Sequence, residues 1–166
     1  NVWERESWNA LLSEADDAAS TAVSVWKRAP DSLKAPGQPL WPALLQILQQ
    51  DAQTDALQKV LQERLQQHCE SGTIDAMNGL TDKQLLKMKK ALQRWRDEDS
   101  EGGCHAALAR IARIEGDAET EAALWGEAHA RHPSASHAAG WADCLRHQGK
   151  ESEASALEAK ALAALR

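Results

Sequence analysis

Two stretches near the end of the chain repeat one another at an offset of 33 residues: Ala109 falls on Ala142, Arg113 on Arg146, Gly116 on Gly149, Leu124 on Leu157 and Ala128 on Ala161. Self-similarity at this period marks a helical repeat, in which each unit is a pair of antiparallel helices that cannot bury its apolar face without a neighbour. The two glycines stand where each pair reverses. A residue without Cβ accepts the left-handed conformation that ends a helix, so Gly116 and Gly149 are expected at positive φ, each followed by a short polar connection.

The rest of the chain supports helices. Ala, Leu, Gln and Glu dominate, Phe and Tyr are absent and β-branched residues are sparse, a mixture that favours helix over strand. At 166 residues the chain reads as one domain, 1–166, able to bury roughly 70% of its unfolded surface. Its net charge of -6 argues against nucleic acid as a partner, because polyanion binding needs a basic footprint. The most apolar segment, "APGQPLWPALLQILQQ", is broken by prolines and glutamines and does not span a membrane. The chain opens at Asn1 without a signal-like apolar stretch, which reads as a piece of a longer protein with its targeting information upstream. Cys69, Cys104 and Cys144 form no CxxC pair and read as free thiols in a reducing compartment.

Along the chain, Trp8, Leu11, Leu12, Ala15, Ala22, Val25 and Trp26 mostly keep helical spacing, giving one or two helices over 1–30. Four prolines then set an extended link over 30–42. Two amphipathic helices with a turn at Asp51 make a hairpin over 38–69, in which Asp51 takes the place of the turn glycine. Residues 72–98 form a degenerate unit, opened by a Thr81/Gln84 capping box whose helix runs through Met88, Leu92 and Trp95. The two repeats fill 102–133 and 134–166. Nine or ten helices are expected, with Leu108, Ala109, Ala112, Leu124, Trp125, Ala128, Trp141, Ala142 and Leu145 buried between consecutive hairpins.

Leu108, Gly116, Asp117, Trp125, Ala128 and Pro133, followed by Trp141, Gly149, Ala154 and Ala161, resemble the tetratricopeptide repeat. The resemblance implies stacked antiparallel hairpins in a right-handed, all-α solenoid. Glu158 departs from the pattern, standing where an aromatic would pack and suiting a solvent-facing last helix. The order "SWNALL", "WKRAPDSLK", "LQERLQQHCESG", "ALQRW" and "HPSASHAAGWADCLRHQGKESEA" further resembles the C-terminal repeat region of the HemY family, proteobacterial inner-membrane proteins associated with late haem biosynthesis. That resemblance implies an anchor outside this sequence, a location on the cytoplasmic face of the inner membrane, and an enzyme of late haem biosynthesis as partner. An unrelated FAD-dependent oxidase shares the family's name. The chain has no GxGxxG motif, so its activity does not transfer.

Catalytic and metal signatures are weak. His68-Cys69 and Cys104-His105 are adjacent pairs whose side chains point about 100 degrees apart on a helix, and no HExxH, CxxCH or zinc-spaced cluster occurs. His129, His132 and His137 gather at the last inter-repeat turn. The acidic runs sit at helix ends, and no serine or cysteine occupies a nucleophile motif. The arginines are more informative. First helices of neighbouring hairpins lie side by side in the repeat, which sets Arg110 and Arg113 next to Asp143, Arg146 and His147 as a partner-binding groove. Surface pairing of these arginines with Glu115 or Glu119 is the competing expectation. Trp41, beside Pro42, is a possible secondary contact or a clamp on the link. The leading reading is a non-enzymatic scaffold that binds a protein, with no resident cofactor; the runner-up is a haem or porphyrin carrier using His, Cys or Trp side chains.

Overall fold

In the computed structural model, described over residues 17–164, every regular element is helical: eleven α-helices and one 3-10 turn. The expectations that rest on Trp8, Leu11, Leu12 and Ala15 lie outside the described residues. The chain divides into two compact units, 1–84 and 85–166.

In the first unit, α1 (Ala18–Arg28) is capped by Asp17, whose carboxylate accepts the Ser20 N–H at 3.0 Å. It buries Ala19, Ala22, Val25 and Trp26, one stripe at helical spacing. The proline link is not simply extended. It makes one helical turn, α2 (Asp31–Lys34), and α3 (Leu40–Gln50) then starts before Pro42, which sits in the first turn where a missing N–H costs nothing. α1 packs on α3, and α3 on α4 (Thr54–Arg64) and α5 (Ser71–Ala76), around Leu44, Leu48, Leu57, Leu61 and Met77.

The α3–α4 turn corrects the sequence reading. Asp51 ends α3 in ordinary geometry, and the residue at positive φ (51°) is Ala52. Gln53 N–H returns to Leu48 O at 3.0 Å and Ala52 N–H to Gln49 O at 3.2 Å, the paired bonds of a Schellman turn.

After a 3-10 turn at Met77–Gly79, α6 (Asp82–Leu86) opens with the expected capping box. Gln84 N–H donates to Thr81 Oγ1 at 3.3 Å, and Thr81 N–H to Gln84 Oε1 at 3.0 Å. The helix does not continue to Trp95. Met88 N–H bonds to Leu85 O at 2.9 Å, a tighter i to i+3 step, and a new helix, α7 (Lys89–Trp95), begins beyond it. This keeps Leu85, Met88 and Leu92 all fully buried.

The second unit is a run of sequential neighbours: α7 packs on α8 (Gly103–Ile114), α8 on α9 (Ala118–Arg131), α9 on α10 (Ala135–His147) and α10 on α11 (Glu151–Ala164). Gly116 (φ 77°) and Gly149 (φ 76°) take the left-handed conformation. Each closes a Schellman turn, with Asp117 N–H to Ala112 O and Lys150 N–H to Leu145 O, both at 2.9 Å. Leu108, Ala109, Ala112, Leu124, Ala128, Ala142 and Leu145 are buried as expected. Trp125 and Trp141 are only half-buried. Each indole lies against a glycine of the facing helix, so that a Cβ on Gly140 would meet the Trp125 ring at 2.4 Å and one on Gly126 the Trp141 ring at 3.5 Å.

Candidate interaction site

Five residues carry the expected groove, and α8 and α10 bring part of the set into contact. Arg113, near the end of α8, donates from Nη1 to Asp143 Oδ2 on α10 at 2.6 Å and from Nε to Glu121 Oε1 on α9 at 3.2 Å. Glu121 is 5% exposed and also accepts from Trp125 Nε1 at 3.3 Å, so a buried carboxylate anchors both the guanidinium and the indole. Burial works against the charge of Arg113, but the hydrogen bond to Asp143 and the nearby Glu121 outweigh it and raise its pKa. Its Nη2 is buried without a partner. Arg110 lies half-buried one turn earlier on α8.

Arg146, the repeat equivalent of Arg113, turns to its own hairpin. It donates from Nη2 to Glu158 Oε2 at 2.7 Å and from Nε to Glu151 Oε2 at 3.1 Å. The hydrogen bond with Glu158, then that with Glu151, raises the Arg146 pKa, and the same bond holds the Glu158 carboxyl below its usual range. Glu158 occupies the position that Trp125 holds in the preceding hairpin. There the aromatic wedges onto the next helix, and here a carboxylate closes the ladder with an ion pair. His147 is exposed in the last turn of α10. The arginines are therefore matched by Glu121, Asp143, Glu151 and Glu158, whereas the sequence pointed to Glu115 or Glu119 as their alternative partners. Glu115 instead binds Lys89 Nζ, at 2.8 Å. Glu121 and Glu158 lie across the hairpin turn from their arginines, separations that become contacts only once the hairpin is closed.

Trp41 is not a surface contact. It is 2% exposed, donates from Nε1 to Thr73 Oγ1 at 2.9 Å and packs against Trp26 with ring centroids 5.1 Å apart. The buried Arg64 guanidinium lies over both rings, 5.6 Å from Trp26 and 5.2 Å from Trp41. Arg64 also pairs with Glu70 at 2.9 Å and donates to the Lys34 carbonyl, tying the proline link to the α3–α4 hairpin. The clamp reading of Trp41 describes its place. The role of Arg64 had no local signal, since its partners lie 6 to 38 residues away in sequence.

The side chains relevant to a haem or metal reading divide between the interior and the surface, where His132 and His147 are exposed. Cys104, Cys144, His105 and His137 are buried, and burial together with the nearby Glu121 pushes the Cys144 thiol up to about 11. His105 is 0% exposed, with Nε2 at 2.9 Å from Glu127 Oε2 and Nδ1 unpartnered. Burial, then the neighbouring Arg131, lowers its pKa. His137 Nδ1 meets the His132 carbonyl at 2.9 Å, and His129 packs on Trp141. Among the described residues no three His, Cys, Asp or Glu side chains form a metal-binding group, and no helix is long and apolar enough to cross a membrane.

One further feature of the second unit is an open cleft of about 440 Å³ bounded by α7, α8 and α9. Leu108, Ala112 and Leu124 form its apolar floor, with Lys89, Gln93 and Arg96 on one wall and Glu115 and Asp117 on the other. No family model, curated protein or solved structure matches the chain.

Proposed function

We propose that the chain is a non-enzymatic helical-repeat scaffold, a tetratricopeptide-like array that holds a partner protein on the shared face of its first helices. The observation that carries this reading is the contact between Arg113 of one hairpin and Asp143 of the next, within a pair of hairpins closed by equivalent glycine turns. Helices paired in this way present a continuous row of polar side chains, and that row is what a bound segment reads. Arg110, Arg113, Asp143, Arg146 and His147 make up the row. Its guanidinium groups are already oriented by carboxylates, so a partner carboxylate exchanges with Asp143, Glu151 or Glu158 instead of ordering a mobile side chain. The resemblance to the HemY family directs the search for that partner to the enzymes of late haem biosynthesis, at the cytoplasmic face of a bacterial inner membrane. Cys104, Cys144 and His105 are buried, so a carrier would have to rely on exposed side chains such as His132 and His147.

The test is capture of haem-pathway enzymes from a bacterial membrane extract with the chain as bait, comparing wild type with Arg113→Glu/Arg146→Glu. The reading requires a strong loss of capture by the double variant with helicity retained. Because the reversal breaks the contact with buried Glu121, Arg146→Glu alone serves as the milder companion. Equal capture by all three proteins removes the first-helix face as the site.

A further inference from the structure

We infer that the solvent face of α7 and the cleft beside it form a docking surface for an acidic polypeptide segment that also carries apolar side chains. The inference rests on reading the chain as a protein-binding module, and it places a second contact outside the first-helix face.

Lys87, Lys89, Lys90, Arg94 and Arg96 fall within ten residues of a chain whose net charge is -6, and no Asp or Glu occurs between Asp82 and Asp97. Elsewhere three arginines take carboxylates: Arg64 binds Glu70, Arg113 binds Glu121 and Asp143, and Arg146 binds Glu151 and Glu158. On and beside α7 that matching is incomplete. Lys89 meets Glu115 at 2.8 Å, and Arg96, just past the helix, approaches Asp97 only to 3.7 Å. Lys87 and Lys90 are exposed and have no ion-pair partner among the described residues.

The arrangement opposes itself electrostatically. Lys90 and Arg94 stand at i, i+4, a like-charged pair that weakens a helix. Lys89 and Lys90 occupy its first turn, where the helix dipole disfavours cations. Carboxylates from a partner relieve both conflicts. Leu86, 37% exposed at the end of α6, is one of two large hydrophobic side chains exposed among the described residues.

The adjoining cleft selects among polyanions. Its α7 wall is basic, its floor is Leu108, Ala112 and Leu124, and its far wall is acidic, with Glu115 and Asp117. A nucleic acid or an anionic bilayer presents uniform negative charge and meets that acidic wall as well as the basic one. A polypeptide places carboxylates on α7 alone and sets an apolar side chain on the floor. Its chemistry is thus a helix or strand with Glu or Asp along one edge and Leu-like residues along the next.

The test uses the full chain and a 14-residue peptide with glutamates along one helical face and leucines along the adjoining one, titrated calorimetrically at physiological salt. Lys87→Glu/Lys90→Glu should weaken binding at least tenfold without lowering the melting temperature, since it turns the Lys90/Arg94 repulsion into an attraction at the same spacing. Lys90→Gln alone, whose fold is least at risk, should weaken it about two- to fivefold. A peptide with its leucines replaced by glutamine should bind more weakly than its parent. Unchanged affinity in the charge variants, no binding by wild type, or tighter binding of a 20-nucleotide DNA or of vesicles one-third phosphatidylserine overturns the inference. Arg113→Glu/Arg146→Glu should leave peptide affinity unchanged, so failure on α7 is separable from failure of the first-helix face, which partner capture reads.

Discussion

The hairpin of the first unit and the two hairpins of the second reverse through the same pair of backbone hydrogen bonds, but around different residues. In the second unit Gly116 and Gly149 occupy the left-handed position, and in the first Ala52 does. The packing differs in the same sense. Leu44, Leu48, Leu57, Leu61, Leu65 and Met77 fill the first unit, whereas Ala107, Ala109, Ala112, Ala128, Ala138, Ala142 and Ala154 are prominent in the second. Small residues let helix backbones approach, and the close approach then requires glycines opposite large rings. One turn geometry thus serves two packing regimes, one dominated by leucine volume and the other by interlocking indoles and glycines.

The largest expected effect contrasts the tryptophans of the two regimes. Trp41→Ala removes a buried ring together with its hydrogen bond to Thr73 and its contacts with Trp26 and Arg64, and should cost about 3–5 kcal/mol. Trp125→Ala removes a half-buried ring and should cost less, about 1–3 kcal/mol. Urea denaturation of the two variants checks the order. If Trp125→Ala proves the more damaging, the second unit depends on its indoles more than their exposure indicates.

Next come the two glycines beneath the rings, where equal substitutions should have opposite signs. Alanine at either position gains helix propensity of up to about 1 kcal/mol. At Gly140 the new Cβ would stand 2.4 Å from the Trp125 ring, so the indole must leave Glu121, and Gly140→Ala should lose about 1–2 kcal/mol net. At Gly126 the nearest Trp141 atom is at 3.5 Å, an ordinary contact, and Gly126→Ala should be neutral or stabilising. Melting curves showing the same sign for both would break the interlock account.

These contrasts show what was legible beforehand. The 33-residue offset located Gly116 and Gly149 because a left-handed turn selects glycine strongly, and Thr81/Gln84 announced its capping box because both partners are local. The left-handed Ala52 lies one position past the turn expected at Asp51, because alanine carries no turn signal and an acidic residue beside it does. Trp125-Gly126 and Gly140-Trp141 stand as mirrored pairs in the sequence, but only antiparallel packing of α9 and α10 gives the mirror meaning. For the candidate site, Arg113 beside Asp143 followed from aligning the repeats. The Glu121 and Glu158 contacts depend on how a closed hairpin sets its second helix against the first. The run of cations from Lys87 to Arg96 is visible in the sequence, but only the fold sets it beside an apolar cleft.

A third test concerns acid, which should affect the second unit through His105. Burial and Arg131 disfavour its imidazolium, so the unfolded chain takes up the proton at higher pH than the folded chain does. Stability should therefore fall as pH drops from 7 toward 5, through the ordinary histidine range. His105→Gln should flatten that part of the profile. Further loss is expected below about pH 4.5, where Glu158 and Asp117 give up the hydrogen-bonded carboxylates that hold their pKa values down. A wild-type profile identical to that of His105→Gln between pH 7 and 5 would show that His105 carries no such linkage.

The smallest effect returns to the turns. Ala52 holds φ at 51°, where its Cβ crowds the backbone at a cost of roughly 1–2 kcal/mol, and glycine relieves that crowding. Glycine also loses more freedom on folding, which offsets roughly 0.5–1 kcal/mol of the gain. Ala52→Gly should therefore stabilise the chain by about 0.5 kcal/mol. Gly116→Ala and Gly149→Ala make the reverse exchange and should destabilise by a similar amount. A Cβ at either glycine meets no atom within 4 Å, so backbone conformation alone sets the cost. The urea midpoint should rise for the first variant and fall for the other two, with unchanged slopes. A loss of stability in Ala52→Gly would show that the α3–α4 turn draws something from the alanine methyl that the other two turns do without, and the equivalence of the three hairpins would end there.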